Sequence, residues 1–239
     1  MARVVILSGA GISAESGIST FRDSDGLWEE YDVKVVCNFD SLEKHEALTL
    51  EFYDKRRSDI KDKEPNYAHK VITNLKKRYP NEIAVITQNV DNLFEKAGLD
   101  ESEVIHLHGF LPEVRCQNPA CNKIYNIGYE KIQTLNGGKC PTCNTKLRPN
   151  IVFFGESAPM YEKLNFHMND CELLVVIGTS GNVINTDFLT QYVDKSILNN
   201  LEPSSAIHEG YYDKVLYKKA TEAADEIALD IESFLDVES

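Results

Sequence analysis

Val4-Val5-Ile6-Leu7-Ser8-Gly9-Ala10-Gly11-Ile12-Ser13-Ala14 decides the fold. Four apolar residues, three of them β-branched, end in Ser and Gly, which is the signature of a strand buried on both faces. Gly9-Ala10-Gly11-Ile12-Ser13-Ala14 then fits G-x-G-x-x-A directly after that strand. At this spacing glycines let the backbone approach a pyrophosphate, and the N-terminus of the next helix favours its charge. A tight strand-to-helix turn without ligand reads the same way, so the motif alone leaves both open. The acidic ribose ligand of a dehydrogenase, expected about 20 residues on at the end of a second strand, is not evident.

The pattern recurs. Residues 83–86 form an apolar run that meets Thr87-Gln88-Asn89-Val90-Asp91, and residues 173–177 stop at Gly178-Thr179-Ser180. A fourth strand is expected at 196–198, before Asn199-Asn200-Leu201-Glu202, and residues 151–154 are also strand-like. Between these runs the spacing predicts helix over much of 29–63, over 69–79 with a stop at Pro80, over 92–97 with a stop at Gly98, and over 221–235. Strands alternating with helices predict an α/β fold with a Rossmann-like parallel sheet, whose ligands sit at the carboxyl ends of the strands. Residues 114–147 break the pattern: they hold four of the six Cys, with Asn, Gly and Pro between them. They read as an inserted module.

At 239 residues the chain is long enough to bury a core without external staples. A net charge of −13 argues against nucleic acid as a partner, since phosphate binding needs clustered Lys and Arg. It suits a basic ligand such as a lysine-bearing peptide. No run approaches the roughly 20 apolar residues of a membrane span, and the first residues lack a signal peptide. A soluble, cytoplasmic protein with no membrane partner is expected, in which cysteines serve as metal ligands or buried thiols rather than disulfides.

Cys116 and Cys121 are separated by four residues, Cys140 and Cys143 by two, and the pairs by eighteen. Four thiolates in two close pairs suit a tetrahedral structural zinc with no open position. Cys37 and Cys171 fall outside the pattern and read as core thiols. In Thr87–Asp91 a carboxylate and two amides crowd a strand end, where burial is costly unless they bind something; helix capping by Asn89 or Asp91 is the alternative. His106 and His108 stand at i, i+2 beside Gly109. Either suits a general base with a pKa near neutrality, and either can equally be a satisfied structural histidine. Tyr53 and Arg56 share a helix face at i, i+3. A phenol beside a guanidinium fork can grip a carboxylate, although a solvated charged face carries the same pattern.

Taken in order, GAGISAESGISTFR, TQNVDNLFEKAG, HLHG, the four cysteines, VFFGE, GTSGNV and NLEPS resemble the sirtuin family of NAD-dependent protein lysine deacylases over nearly the whole chain. The resemblance implies a Rossmann-like NAD-binding domain (1–30, 67–113 and 148–239), a helical insertion (31–66) and a zinc-binding module (114–147). It makes Gly9, Ala10, Gly11, Ser13, Phe21, Arg22 and Trp28 the cofactor-binding loop. Gln88, Asn89, Val90 and Asp91 would line the ribose and nicotinamide pocket. Gly178, Thr179 and Ser180 would hold the phosphate and ribose side, with Asn200, Leu201, Glu202 and Ala220 around the adenosine. It makes His108, not His106, the catalytic base, assisted by Asn89 and Asp91. Val152, Phe153, Phe154, Gly155 and Glu156 would form a strand edge that pairs with the substrate peptide.

The implied reaction consumes NAD. The acyl oxygen attacks the nicotinamide ribose, nicotinamide leaves, and His108 deprotonates a ribose hydroxyl that attacks the imidate. Free lysine and O-acyl-ADP-ribose result. Tyr53 and Arg56 match the Tyr-x-x-Arg pair of the desuccinylase and demalonylase branch, so succinyl and malonyl removal is expected, with weaker deacetylation, by a monomer. A mono-ADP-ribosyltransferase and a non-catalytic NAD or ADP-ribose-binding module are the alternatives. Three positions depart from the family pattern: Ser19 (usually Pro or Arg), Phe94 (commonly His) and Asn185-Thr186 (usually Pro-Ala). None removes the base, the TQN-D set or the zinc ligands, so an active enzyme is expected.

Overall fold

The computed structural model describes residues 2–20 and 30–236. Its centre is a six-stranded parallel sheet of β1 (Val4–Ser8), β2 (Ile83–Thr87), β3 (Val104–His106), β7 (Leu173–Ile177), β8 (Lys195–Asn200) and β9 (Lys214–Tyr217), in the order β3-β2-β1-β7-β8-β9. The strand order reverses between β1 and β7, which are paired directly, Val4 opposite Leu173 and Ser8 opposite Ile177. In such sheets that reversal opens a crevice beyond the carboxyl ends.

Continuous apolar runs are what a sheet covered on both faces requires. In β1, Val4 and Ile6 enter the core on one face and Val5 and Leu7 the core on the other; in β7, Leu173, Val175 and Ile177 take the first face and Leu174 and Val176 the second. The first face is covered by α5 (Tyr67–Arg78) and α9 (Ala220–Asp236), whose Ala223, Ile227, Ile231 and Leu235 form one buried stripe. The second is covered by α7 (Tyr161–Met168) and α8 (Thr186–Thr190) through Leu164, Met168 and Leu189. Asn66 caps α5, its side chain accepting from the Ala68 and His69 amides, and the helix ends two residues before Pro80. No helix among the described residues is long and apolar enough to cross a membrane.

Residues 30–66 form short helices: α2 (Val33–Val36), α3 (Phe39–Leu42) and the longer α4 (Glu46–Asp59). A second, antiparallel sheet joins β4 (Gly109–Cys116), β5 (Ile124–Asn126) and β6 (Leu147–Ile151) in the order β5-β4-β6. Its core of Val114, Ile132 and Leu147 is small and shared with Cys116 and Cys140. One expectation is corrected here. The strand expected at 151–154 lies at Leu147–Ile151. Beyond it the chain makes a single bridge, Phe154 with Asn38.

Candidate active site

The carboxyl ends of β1, β2, β7 and β8 surround a cavity of about 650 Å³. Backbone proximity builds its floor. The Gly9 and Gly11 amides donate to the carbonyls of Ile177 and Gly178 at 2.9 and 2.8 Å, so the turn after β1 lies directly on the turn after β7. A Cβ on Gly11 would sit 2.7 Å from the Gly178 Cα, and Gly178 itself has φ +64°. The glycines of G-A-G are therefore needed for two turns to interlock, whatever the turns hold. α1 (Gly11–Ala14) starts from this crossing.

The expected residues in the described part of the chain converge on the cavity. Gly9, Ala10, Gly11, Ser13, Tyr53, Arg56, Gln88, Asn89, Val90, Asp91, His108, residues 152–156, Gly178, Thr179, Ser180, Asn200, Leu201, Glu202 and Ala220 all line it. Phe21, Arg22 and Trp28 lie outside the described residues.

Ser13 is the hub of the floor. Its hydroxyl donates to Asp91 Oδ2 at 3.0 Å and accepts from Asn89 Nδ2 at 3.0 Å. Asp91 also accepts the Leu93 amide at 3.1 Å, at the start of α6 (Leu93–Ala97), so helix capping and site construction use the same carboxylate. Burial raises the Asp91 pKa, and the Leu93 and Ser13 hydrogen bonds hold it down. Gln88 reaches across the crossing to Thr179 Oγ1 at 3.0 Å. Asn200 offers a buried Nδ2 with no hydrogen-bond partner among the described residues. A buried donor facing a cavity without an acceptor is a cost the free protein carries and a bound polar ligand removes. That orphan, the interlocked glycine turns and the amide-rich floor fit a dinucleotide.

The two histidines have different partners. His108 Nδ1 lies 2.9 Å from the Gln88 carbonyl, and its Nε2 lies 3.0 Å from the Tyr161 hydroxyl. A carbonyl only accepts, so Nδ1 carries the proton and Nε2 presents a lone pair in the cavity. Burial lowers the His108 pKa, partly offset by the Gln88 carbonyl, so the imidazole is neutral near pH 7. Gly109 makes this placement possible: at φ +94°, a Cβ there would fall 2.1 Å from the Asn150 carbonyl oxygen. His106 points instead to the Asn89 carbonyl and to Glu95, at 2.8 and 2.9 Å.

From α4 the same cavity receives Tyr53 and Arg56. Tyr53 is 2% exposed, packs edge-on against Phe153, and donates to Cys37 Sγ at 3.4 Å. Burial lowers the Arg56 pKa against the opposing pull of Tyr53, Cys37 and Asp91. A guanidinium stays protonated under such pressure. The pair is thus built into a pocket wall rather than a solvated face. Cys37, expected as a core thiol, is buried but lines the cavity.

The 152–156 segment is held differently from the expected strand edge. Phe154 spends its amide on the Cys37 carbonyl and its own carbonyl on the Phe39 amide. Glu156 forms a two-pronged bond with Arg148 at 2.6 and 3.0 Å and accepts the Phe153 amide at 2.9 Å. Its carboxylate locks the loop.

The departures from the family pattern have local explanations. Phe94 is 3% exposed in the sheet core and meets the His69 ring edge-on at 5.0 Å. Asn185 caps α8 by accepting the Phe188 amide, and Thr186 accepts from the Tyr212 hydroxyl. Ser19 lines the cavity. Sequence reading passed over Tyr161, because an isolated Tyr in a helix carries no signal of its partner. It also passed over Arg57, fully buried beside Arg56, which ties α4 to the Leu111 carbonyl at 2.9 Å and is itself held by Asp54 of the same helix at 2.5 Å.

The Sγ atoms of Cys116, Cys121, Cys140 and Cys143 all lie within 4.8 Å of one another. Cys116–Cys143 and Cys121–Cys140 are 3.4 and 3.8 Å apart. Four sulfurs at about 2.3 Å from a tetrahedral zinc stand about 3.8 Å apart, so the donor set fits that ion.

A reversed parallel sheet with its glycine crossing, a polar floor and a cysteine-held side module defines a Rossmann-type dinucleotide-binding protein with a zinc ribbon. Residues 9–185 match the model of the Sir2 family, and the chain belongs to that family. It is 48% identical over 236 residues, covering 98% of both chains, to a protein of Campylobacter jejuni (strain RM1221) named NAD-dependent protein deacylase. It is similar to a solved Sir2 homologue–NAD complex (TM-score 0.83, 32% identity, covering 97% of this chain and 90% of that one). It is also similar to a Sir2 protein bound to acetylated peptide (TM-score 0.76, 27% identity, covering 95% and 92%).

Proposed function

We infer that this chain is an NAD-dependent protein-lysine deacylase that prefers succinyl and malonyl groups and removes acetyl groups more slowly. One observation carries the reading: the His108 Nε2 lone pair and the Tyr53–Arg56 pair open into the same cavity. The deacylase relatives and the Sir2–NAD complex support the coarser part of it.

The chain's own groups have separable tasks. When bound, NAD supplies the sugar carbon to which the acyl oxygen transfers. The glycine crossing, Thr179 and Asn200 bind the dinucleotide. Asn89 and Asp91, tied through Ser13, orient its reacting end. His108 takes the proton of a sugar hydroxyl at Nε2, the position where Tyr161 donates in the free protein. Tyr161 would release Nε2 to that hydroxyl. Apolar walls from Leu111, Ile151 and Phe153 exclude water from the acyl chain. Arg56 and Tyr53 receive a terminal carboxylate, and the Tyr53 hydroxyl turns from the Cys37 sulfur to do so. The zinc, bound by the four cysteines, holds the side module together and leaves no ligand position for chemistry.

The test is kinetic. Arg56→Met loses most desuccinylation and keeps deacetylation. An equal loss of both removes the acyl-reading role.

A further inference from the structure

Glu95 and His106 form a buried pair that the reaction above leaves unused. His106 ends β3 and Glu95 lies on α6; their side chains are 11% and 12% exposed. His106 Nδ1 is 2.8 Å from the Asn89 carbonyl, so that nitrogen carries a proton. Its Nε2 is 2.9 Å from Glu95 Oε1, and a proton there completes an imidazolium–carboxylate pair. The ring is held against Phe110, centroid to centroid 4.8 Å. The other charged groups that face it, Asp91 and Glu113, are both acidic and favour the cation.

The geometry has a consequence for the neighbouring site. The carbonyls of Gln88 and Asn89 are consecutive, and each accepts an imidazole N–H, the first from His108 and the second from His106. The first belongs to the Gln88–Asn89 peptide and the second to the Asn89–Val90 peptide, so the two anchors bracket the Asn89 Cα. With the plane on each side of the Asn89 Cα held by one imidazole, the backbone torsions of Asn89 are fixed from both ends. The same residue's side-chain amide donates to Ser13 at 3.0 Å, so its direction depends on that backbone setting.

We propose that Glu95 and His106 are positioning residues, which hold the backbone at Asn89 so that Asn89 and the neighbouring His108 meet the reacting sugar in register. This rests on the reading of His108 as the base. The pair touches neither substrate nor cofactor, and its effect belongs in turnover rather than in binding.

Steady-state kinetics on the full chain with an acyl-lysine peptide and NAD tests it. His106→Ala and Glu95→Ala lower kcat roughly tenfold to a hundredfold, as expected when reacting groups lose alignment, while KM for NAD and peptide stays within about threefold. Glu95→Gln recovers most of the loss of Glu95→Ala, because its amide can donate to Nε2 of a neutral His106. Imidazole ¹⁵N spectra of the unaltered protein at pH 7 show both His106 nitrogens protonated and His108 protonated at Nδ1 alone, a readout that does not depend on the variants folding. Unchanged kcat in the folded alanine variants, a Gln variant no better than Ala, or a neutral His106 overturns the pair. His108→Ala separates the two readings: if it still turns over, the base assignment beneath the pair fails. If it is inactive while the pair variants are unaffected, only the pair does.

Discussion

His108 Nε2 accepts the Tyr161 hydroxyl at 3.0 Å while Nδ1 is committed to the Gln88 carbonyl at 2.9 Å. The imidazole is thus presented as a neutral acceptor with its orientation already set. The consequences of that arrangement can be measured.

His108→Ala abolishes deacylation, with a loss on the order of 10²–10⁴ for a missing general base. NAD affinity by calorimetry changes little, since the base contributes no anchoring bond. For the unaltered enzyme, burial lowers the His108 pKa and the neutral form is the active one. Activity therefore rises with pH through a midpoint below the ordinary value of about 6.5 and is level above it. A kcat/KM profile that still climbs between pH 7 and 8 would assign the titration to another group.

Arg56→Met reduces kcat/KM for succinyl-lysine roughly tenfold to a hundredfold, corresponding to the ~1.5–3 kcal/mol of a hydrogen bond to a charged group. Acetyl-lysine turnover stays within about threefold. Tyr53→Phe has the smaller effect of the two, because it removes one hydroxyl and leaves the cation. Paired assays on succinyl and acetyl forms of one peptide check the ratio.

Chelation, or Cys140→Ser, destabilises the chain. The small sheet has only a handful of buried apolar residues to hold it. If the ion contributes about 3 kcal/mol, the melting temperature falls by roughly 6–12 °C. Metal analysis of the untreated protein gives one zinc per chain; an unchanged melting temperature with no bound zinc removes the structural-metal role.

His69 predicts an acid weakness. It is 1% exposed and burial lowers its pKa to about 3. Unfolded chains take up a proton there near pH 6.5, so the folded state loses stability as pH falls below that value. At pH 5 the loss from this group is about 2 kcal/mol. Urea unfolding at pH 7.5 and pH 5.0 shows a smaller difference for His69→Gln than for the unaltered protein.

Much of the architecture was legible because buried parallel strands leave an unmistakable trace. The apolar run of β1 and that of β7 are continuous since both faces are covered. The loops that follow such strands lie at the crevice, which is why Gln88–Asp91 and Gly178–Ser180 were legible as cavity-lining residues. The four cysteines were legible for a similar reason, as spacing alone encodes a tetrahedral site. What spacing does not encode is a partner from a distant element. His106 and His108 look alike in sequence; they part company only because Glu95 faces one and Tyr161 the other. Glu156 was read from sequence only as part of a strand edge; that Arg148 holds its carboxylate was not legible, because the two meet only in the folded loop. Phe94 and Asn185 stood out only as departures from the family pattern; one fills core and the other caps a helix.

The most direct measurement is to incubate the purified chain with succinyl-, malonyl- and acetyl-lysine versions of one peptide, with and without NAD, and weigh every product. The expected result is NAD-dependent loss of the acyl mass, fastest for succinyl and malonyl, with nicotinamide and an acyl-ADP-ribose in equal amounts. Deacylation without NAD, or ADP-ribose accumulating on protein instead of on the released acyl group, would contradict it.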